Sequence, residues 1–150
     1  MRTIAFAAMI TAASAMTVAA KEVAPADVAF EEGAISQSLT GVAGDAVKGK
    51  EWFIGRKLGN CLACHQNADA KNESFHGEVG PPLDGVADRW SEAELRGIVT
   101  NAKMTFDGTI MPAFYKDSGY TRALDKFEGK TILSAQQIED IVAYLKTLKE

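Results

Sequence analysis

The chain has 150 residues, the length of one domain, and its 47% hydrophobic and 24% charged residues are ordinary for a globular protein. Sixteen Lys and Arg against twenty Asp and Glu give a formal net charge of −4. This balance argues against a nucleic-acid-binding protein, because such proteins need a concentrated basic face. Only two cysteines are present, so a scaffold of several disulfides is excluded.

Residues 1–20 have the pattern of a cleavable signal peptide. Arg2 makes the start positive, and residues 4–20 are apolar or small apart from two Thr and one Ser. Small residues precede Lys21, where we predict cleavage, with Ala15 as a second site. An uncleaved anchor is the alternative, although this alanine-rich run falls short of the ~20 strongly apolar residues that a span needs. We therefore predict export to the periplasm and a mature chain without a membrane span.

Residues 21–44 are predicted to form an N-terminal extension ahead of a domain over residues 45–150. The extension is acidic, is interrupted by Pro25 and by glycines, and shows little periodicity. Two interpretations stay open. The extension lies on a partner or on the domain's own surface, or it is disordered in isolation.

Three main helices are predicted in the domain. Asp45 caps a helix that runs through residues 46–58 and ends at Gly59. Capping boxes at 91–94 and 134–137 open two more helices. The apolar positions of the three are Val47, Trp52, Phe53 and Leu58; Leu95, Ile98, Val99 and Ala102; and Ile138, Ile141, Val142, Leu145 and Leu148. The long stretches between them show no strand-like alternation, and such loops indicate that something other than the chain orders them.

The segment Cys61-Leu62-Ala63-Cys64-His65 is the attachment signature of c-type haem. Two thiols at this spacing lie on one side of a helical turn and reach the two vinyl groups, while the next imidazole ligates the iron. A thioredoxin-like redox site is an alternative, but no strand–helix pattern surrounds the motif. A zinc site would need His76 as a fourth ligand at an unusual spacing. A disulfide between the two cysteines would be strained.

The second axial ligand has few candidates in the mature chain. Met111 is followed by Pro112, which removes a donor and favours an extended approach, as suits a ligand presented from a loop. His76 is the main rival, and Met104 is expected to have a core role instead. A haem histidine usually donates its other ring N–H to a fixed acceptor, which the carbonyl of Pro81 could supply.

These motifs occur in the order of the class I cytochromes c, which the chain resembles. They are Cys61-x-x-Cys64-His65, Gly80-Pro81-x-Leu83, Met111-Pro112 and a C-terminal helix ending Ala143-Tyr144-Leu145. The resemblance implies an all-α class I cytochrome c fold, with three to five helices around one covalently attached haem and long loops. In that fold the first and last helices cross closely, which a small residue such as Gly49 would permit.

A closer resemblance over about residues 59–148 is to the SoxX family, the monohaem subunits of SoxAX complexes in thiosulfate oxidation. Gly80-Pro81-Pro82-Leu83 and Met111-Pro112-Ala113-Phe114-Tyr115 carry most of it. It implies haem c attached through Cys61 and Cys64, with His65 and Met111 as iron ligands and the Pro81 carbonyl orienting the histidine. We further expect apolar cover over the haem from Leu62, Leu83, Phe106 and Phe114.

The resemblance also implies partners and a role. The partners are a SoxA-type cytochrome subunit with one or two haems, the SoxYZ carrier transiently, and a small downstream cytochrome c. The chain would accept electrons while thiosulfate is joined to a SoxY cysteine, without being catalytic itself. A free-standing cytochrome c that shuttles electrons between other redox partners is the alternative. A haem enzyme with an open coordination position follows only if Met111 is not a ligand.

Overall fold

The computed structural model describes residues 21–150, so the predicted signal peptide lies outside the described residues. Four α-helices are present: α1 (Ala46–Ile54), α2 (Val86–Arg89), α3 (Glu92–Asn101) and α4 (Ala135–Leu145). Single 3₁₀ turns stand at Pro25–Asp27, Cys61–Ala63, Ala68–Ala70, Ala102–Met104 and Asp125–Phe127. Over residues 21–150, β-type pairing is limited to one bridge between Glu31 and Ala34. The predicted all-α class is confirmed, with a helix number inside the predicted range.

Helices α1 and α4 cross at a very short distance and form the centre of the fold. A Cβ atom on Gly49 would lie 1.9 Å from the backbone oxygen of Asp140 and 2.9 Å from Cβ of Tyr144, so only glycine allows this approach. Next to the crossing, the rings of Phe53 and Tyr144 meet edge to face with centroids 5.3 Å apart. The close crossing expected at Gly49 is therefore present.

Helix α1 begins as predicted but ends four residues early. The side chain of Asp45 accepts hydrogen bonds from the backbone N–H groups of Val47 and Lys48, which caps the helix. The prediction that the helix continues to residue 58 is wrong, because Gly55 adopts an extended conformation (φ −61°, ψ 114°). Leu58 is consequently exposed, and the residues after Gly55 turn the chain into the cysteine motif.

Both predicted capping boxes are present. Ser91 and Glu94 exchange hydrogen bonds at the start of α3, and Ser134 and Gln137 do so at the start of α4. Most of the predicted apolar positions of the two helices are buried in one core, namely Leu95, Val99, Ala102, Ile138, Ile141, Val142, Leu145 and Leu148. Burial of this apolar face is the main source of helix stability.

The short helix α2 was not predicted. It has four residues and begins after Gly85, which adopts a left-handed conformation (φ +63°). Within residues 21–150, no helix combines the length and apolarity needed to cross a membrane.

Residues 21–44 pack on the rest of the chain and contribute to its core. Ile35 and Leu39 are 2% and 1% exposed. The backbone N–H of Ile35 donates to the carbonyl of Ala93 (2.9 Å), and that of Leu39 donates to the Glu139 carboxylate (2.7 Å). The structure therefore agrees with the interpretation that residues 21–44 lie on the domain's own surface.

Candidate haem site

The two cysteines and the histidine lie on one tight turn. Asn60 has a left-handed backbone (φ +49°) and starts the 3₁₀ turn Cys61–Ala63. The carbonyl of Cys61 then accepts hydrogen bonds from the N–H groups of Cys64 (3.1 Å) and His65 (3.0 Å). Leu62, 4% exposed, anchors the turn in the core, and neither cysteine forms a disulfide.

The surroundings of Cys61 favour an uncharged sulfur. Burial away from water raises the pKa of its thiol to about 12, and the neighbouring thiol of Cys64 adds to the rise. A thioether carries no charge. The apolar environment of Cys61 therefore suits a sulfur atom that is bonded to carbon.

His65 is held in one tautomer by the segment that contains Pro81. Its Nδ1 lies 2.7 Å from the carbonyl oxygen of Pro81, and since a carbonyl can only accept, Nδ1–H is the donor. Nε2 is then the unprotonated nitrogen with a lone pair for a metal ion. The structure thus brings together two residues that the sequence places sixteen positions apart.

Gly80 closes the other side of the imidazole. A Cβ atom at this position would lie 2.3 Å from Cε1 of His65 and 2.6 Å from its Nδ1. The N–H of Gly80 also donates to the carbonyl of Cys64 (2.7 Å), which fixes its own position. The backbone of Gly80 therefore lies directly against the ring. The importance of this glycine was not inferred from the sequence, although it stands directly before Pro81.

A loop over residues 66–84 wraps around the cysteine turn and is held by polar side chains, of which Asn67 and Tyr144 are buried and Lys50 and Asp69 are exposed. Asn67 is 1% exposed and donates through Nδ2 to the Tyr144 hydroxyl (2.9 Å). That hydroxyl donates to Asp69 (2.8 Å), which also pairs with Lys50 (2.7 Å). The hydrogen bond from Lys50, and then that from Tyr144, lower the pKa of Asp69. The loop is thereby tied to both helices of the central crossing.

Met111 is half-buried and its backbone is fixed on both sides. Its N–H donates to Oγ1 of Thr109 (3.2 Å), and its carbonyl accepts from Nζ of Lys103 (2.6 Å). Met111 packs against the same hydrophobic core as Cys61 and Leu83. Three of the predicted site residues are therefore half-buried against that core.

The two rival ligands are placed elsewhere. In His76, Nδ1 accepts from the N–H of Asn67 (3.4 Å) and Nε2 donates to the carbonyl of Ala70 (3.1 Å), so both nitrogens serve the loop. Met104 is 50% exposed, and the core role expected for it is wrong. It stands at the end of the 3₁₀ turn after α3, in which only Ala102 is buried.

The residues of this site fit a covalently bound haem. The donor set consists of two unpaired thiols three positions apart and an imidazole with a free Nε2, which is the chemistry that attachment and ligation need. Leu62 and Phe114 are buried, Leu83 is half-buried, and Phe106 is 38% exposed and meets Trp90 edge to face at 5.8 Å. Val79 and Ile110, beside the predicted ligand segments, expose 66% and 78% of their surface.

Comparison with known proteins agrees with this chemistry. Residues 46–149 match the family model of cytochrome c. Among solved structures, the chain is 53% identical to a chain of SoxXA from P. pantotrophus, with a TM-score of 0.82. The match covers 87% of this chain and 100% of that one. Among the curated proteins, none matches this chain.

Two further solved structures are more distant. The c-type cytochrome SorU from Sinorhizobium meliloti is 28% identical, with a TM-score of 0.46 and coverage of 69% of this chain and 90% of that one. Ferric cytochrome c-550 from Paracoccus versutus is 25% identical, with a TM-score of 0.40 and coverage of 71% and 99%.

Proposed function

Because this chain belongs to the cytochrome c family, with its class I fold and covalently attached haem c, we propose that it is the electron-accepting subunit of a SoxAX complex. One observation carries the proposal, namely 53% identity to a chain of SoxXA over the whole length of that chain. In this role the subunit takes up electrons while its partner joins thiosulfate oxidatively to a cysteine of the SoxY carrier.

The proposed iron ligands are His65 and Met111. The hydrogen bond from His65 Nδ1 to Pro81 leaves Nε2 for the metal ion, and Met111 stands on a fixed loop at the edge of the same core. Haem iron with two protein ligands supplies one-electron transfer, and a methionine opposite a histidine raises the reduction potential. Leu83 contributes apolar cover, which favours the less charged ferrous state.

The chain's own residues support a carrier and not a catalyst of bond formation. Cys61 and Cys64 are the only cysteines in the sequence, and haem attachment occupies both sulfurs. No thiol then remains to act as a nucleophile toward thiosulfate. The thiosulfotransferase step accordingly belongs to the SoxA-type subunit, and this chain orients the cofactor and sets its potential.

The proposed location is the periplasm, reached through the signal peptide predicted at residues 1–20. The proposed partners are a SoxA-type cytochrome in a stable heterodimer, the SoxYZ carrier in transient contact, and a small cytochrome c that receives the electrons. Export also agrees with the attachment chemistry, since the two thiols must meet haem outside the cytoplasm.

Assembly and thiosulfate-dependent reduction test the proposed role. The chain is co-expressed in the periplasm with a tagged SoxA-type subunit, purified by that tag, and mixed with SoxYZ and thiosulfate. We expect co-elution on a sizing column and haem reduction that requires thiosulfate, SoxYZ and the partner together. Omission of each component is the control. A chain that elutes alone at every salt concentration contradicts the subunit role and supports the free electron shuttle.

The ligand assignment has its own test. Met111→Ala is expected to remove the near-infrared sulfur-to-iron band of the oxidised protein and to lower its potential by on the order of 100 mV, because axial ligands set haem potentials over a wide range. Met104→Ala is the matched control and is expected to keep both properties, since this side chain is half exposed. Retention of the band in Met111→Ala would contradict the assignment.

A further inference from the structure

The loop that carries Met111 is fastened by a lysine at the other end of the loop. Lys103 belongs to the 3₁₀ turn Ala102–Met104, which directly follows α3. Its Nζ donates to the carbonyl of Thr109 (3.2 Å) and to that of Met111 (2.6 Å). One ammonium group thus joins the start of the loop to its end.

The N–H of Thr109 donates to the carbonyl of Phe106 (3.4 Å), and the backbone of Met111 is held by further contacts. Gly108 reverses the chain with a left-handed conformation (φ +70°), and Oγ1 of Thr109 then accepts the N–H of Met111 (3.2 Å). With the contact from Lys103, both polar backbone groups of Met111 are satisfied. Pro112 restricts the backbone of Met111 further, because a residue before proline is kept out of the helical region.

The side chains at the turn of this loop make few buried contacts. Ile110 is 78% exposed, and Asp107 and Gly108 are exposed as well. A segment with so few buried apolar contacts opens readily unless polar contacts hold it. An ammonium suits this task, since it is a compact charge with three donors and can satisfy two carbonyls at once.

We propose that Lys103 is a positioning residue for the second iron ligand: by holding the carbonyls of Thr109 and Met111, it keeps the Met111 sulfur in place. The inference rests on the proposed ligation by Met111. Lys103 acts through the backbone carbonyls of Thr109 and Met111 and not through the Met111 side chain. Its loss leaves the ligand present but releases the segment that presents it.

Competition by imidazole tests this role in the oxidised holoprotein. Imidazole binds ferric iron only when methionine leaves, so its dissociation constant reports how firmly the loop holds the sulfur. We expect Lys103→Met to bind imidazole about tenfold more tightly than the wild type, because the variant keeps the length and loses the donors. Lys103→Arg keeps a cationic donor and is expected to stay within about twofold of the wild type. Lys149→Met, on the exposed C-terminal end, is the matched control and should leave the constant unchanged.

The near-infrared band provides the second readout. In Lys103→Met the band is expected to be present and to disappear at a lower imidazole concentration than in the wild type. Equal dissociation constants for Lys103→Met and the wild type would overturn the inference. It would also be overturned if Lys103→Arg bound imidazole as tightly as Lys103→Met does. If instead Met111→Ala keeps the band, the ligation proposed above fails, whatever Lys103 does.

Discussion

At the scale of single side chains, His65 is held by two neighbouring residues of one segment. The carbonyl of Pro81 accepts its Nδ1–H, and the backbone of Gly80 covers its ring. Such a partner fixes the tautomer of a ligating imidazole and raises its basicity, and losing it costs metal binding about 10–100-fold. The Gly80-Pro81 pair would therefore affect the proposed iron site without any side-chain functional group of its own.

Gly80→Ala should weaken the bond between His65 and iron. The added methyl group would lie 2.3 Å from Cε1, so the ring has to move away from Pro81. A tenfold weaker ligand raises the pH at which acid displaces it by about one unit. This midpoint is measured by following the loss of the low-spin haem spectrum on acidification. Lys71→Ala, at an exposed position of the same loop, is the control and should leave the midpoint unchanged. An unchanged midpoint in Gly80→Ala would refute the expectation.

The motif at Cys61–His65 was predictable because its chemistry lies in five consecutive residues. Lys103 was not, since a single lysine gives no local signal and its two carbonyl partners are set by the path of a loop. The end of α1 was misplaced for a related reason. Gly55 and Gly59 are equal as helix terminators in the sequence. The extended backbone of Gly55 (ψ 114°) shows that the helix ends there, and the N–H of Asn60 then donates to the carbonyl of Gly55 (2.9 Å).

Between helices, the crossing of α1 and α4 depends on the absence of a side chain at one position. The backbone oxygen of Asp140 occupies the space that a Cβ atom of residue 49 would need. The predicted capping boxes and apolar spacing located α3 and α4 well, because these signals are local and periodic. Helix α2 escaped prediction since four residues are too few for a periodicity to appear.

Gly49→Ala should destabilise the whole fold by about 1–3 kcal/mol, because forcing a methyl group into a packed contact displaces both helices. Chemical denaturation of the holoprotein, followed by helix circular dichroism, measures this loss. Val47→Ala, at a 73% exposed position of α1, serves as the control for a substitution to alanine in the same helix. We expect the near-infrared band of folded Gly49→Ala to be retained, since the crossing is separate from the loop of Met111. A free energy of unfolding equal to that of the wild type would show that the helices can separate without cost.

Acid should weaken the attachment of the loop over residues 66–84 to α1 and α4. The folded pKa of Asp69 lies below its unfolded value of 3.8, so its contribution to stability is fully present above about pH 4 and is lost as the pH falls through the folded pKa. The difference in melting temperature between the wild type and Asp69→Asn is therefore expected to shrink below about pH 4. Asp107→Asn, on an exposed loop, is the matched control. A difference that stays constant from pH 7 to pH 3 would contradict this account.

For the chain as a whole, a buried ion pair joins the N-terminal segment to α3 and α4. Arg96 and Glu139 are each 4% exposed and their charged groups lie 3.0 Å apart. Arg96 also donates to the carbonyl of Ile35 (2.9 Å), and Glu139 accepts from the N–H of Leu39. Whether residues 21–44 pack or are disordered could not be predicted from the sequence, because their partners stand up to 100 positions away.

Arg96→Met is expected to destabilise the protein by about 3–5 kcal/mol, because it leaves the carboxylate of Glu139 buried and unpaired. Glu92→Gln removes the exposed partner of the same arginine and should cost less than about 1 kcal/mol. Both values come from urea denaturation of the holoproteins. In Arg96→Met we also expect faster proteolysis within residues 21–44. Equal costs for the two variants would show that burial of the pair has no consequence.

Leu39 and Glu139 are in contact although 100 positions separate them in the sequence, and this separation imposes an order on folding during synthesis. A ribosome produces residues 21–44 before the carboxylate and guanidinium that hold them, and α1 before the helix that crosses it. Residues 21–44 and α1 therefore stay without their packing partners until α4 has been synthesised. During that interval the loop over residues 66–84 lacks the hydroxyl of Tyr144, which bonds to Asn67 and Asp69 in the folded chain.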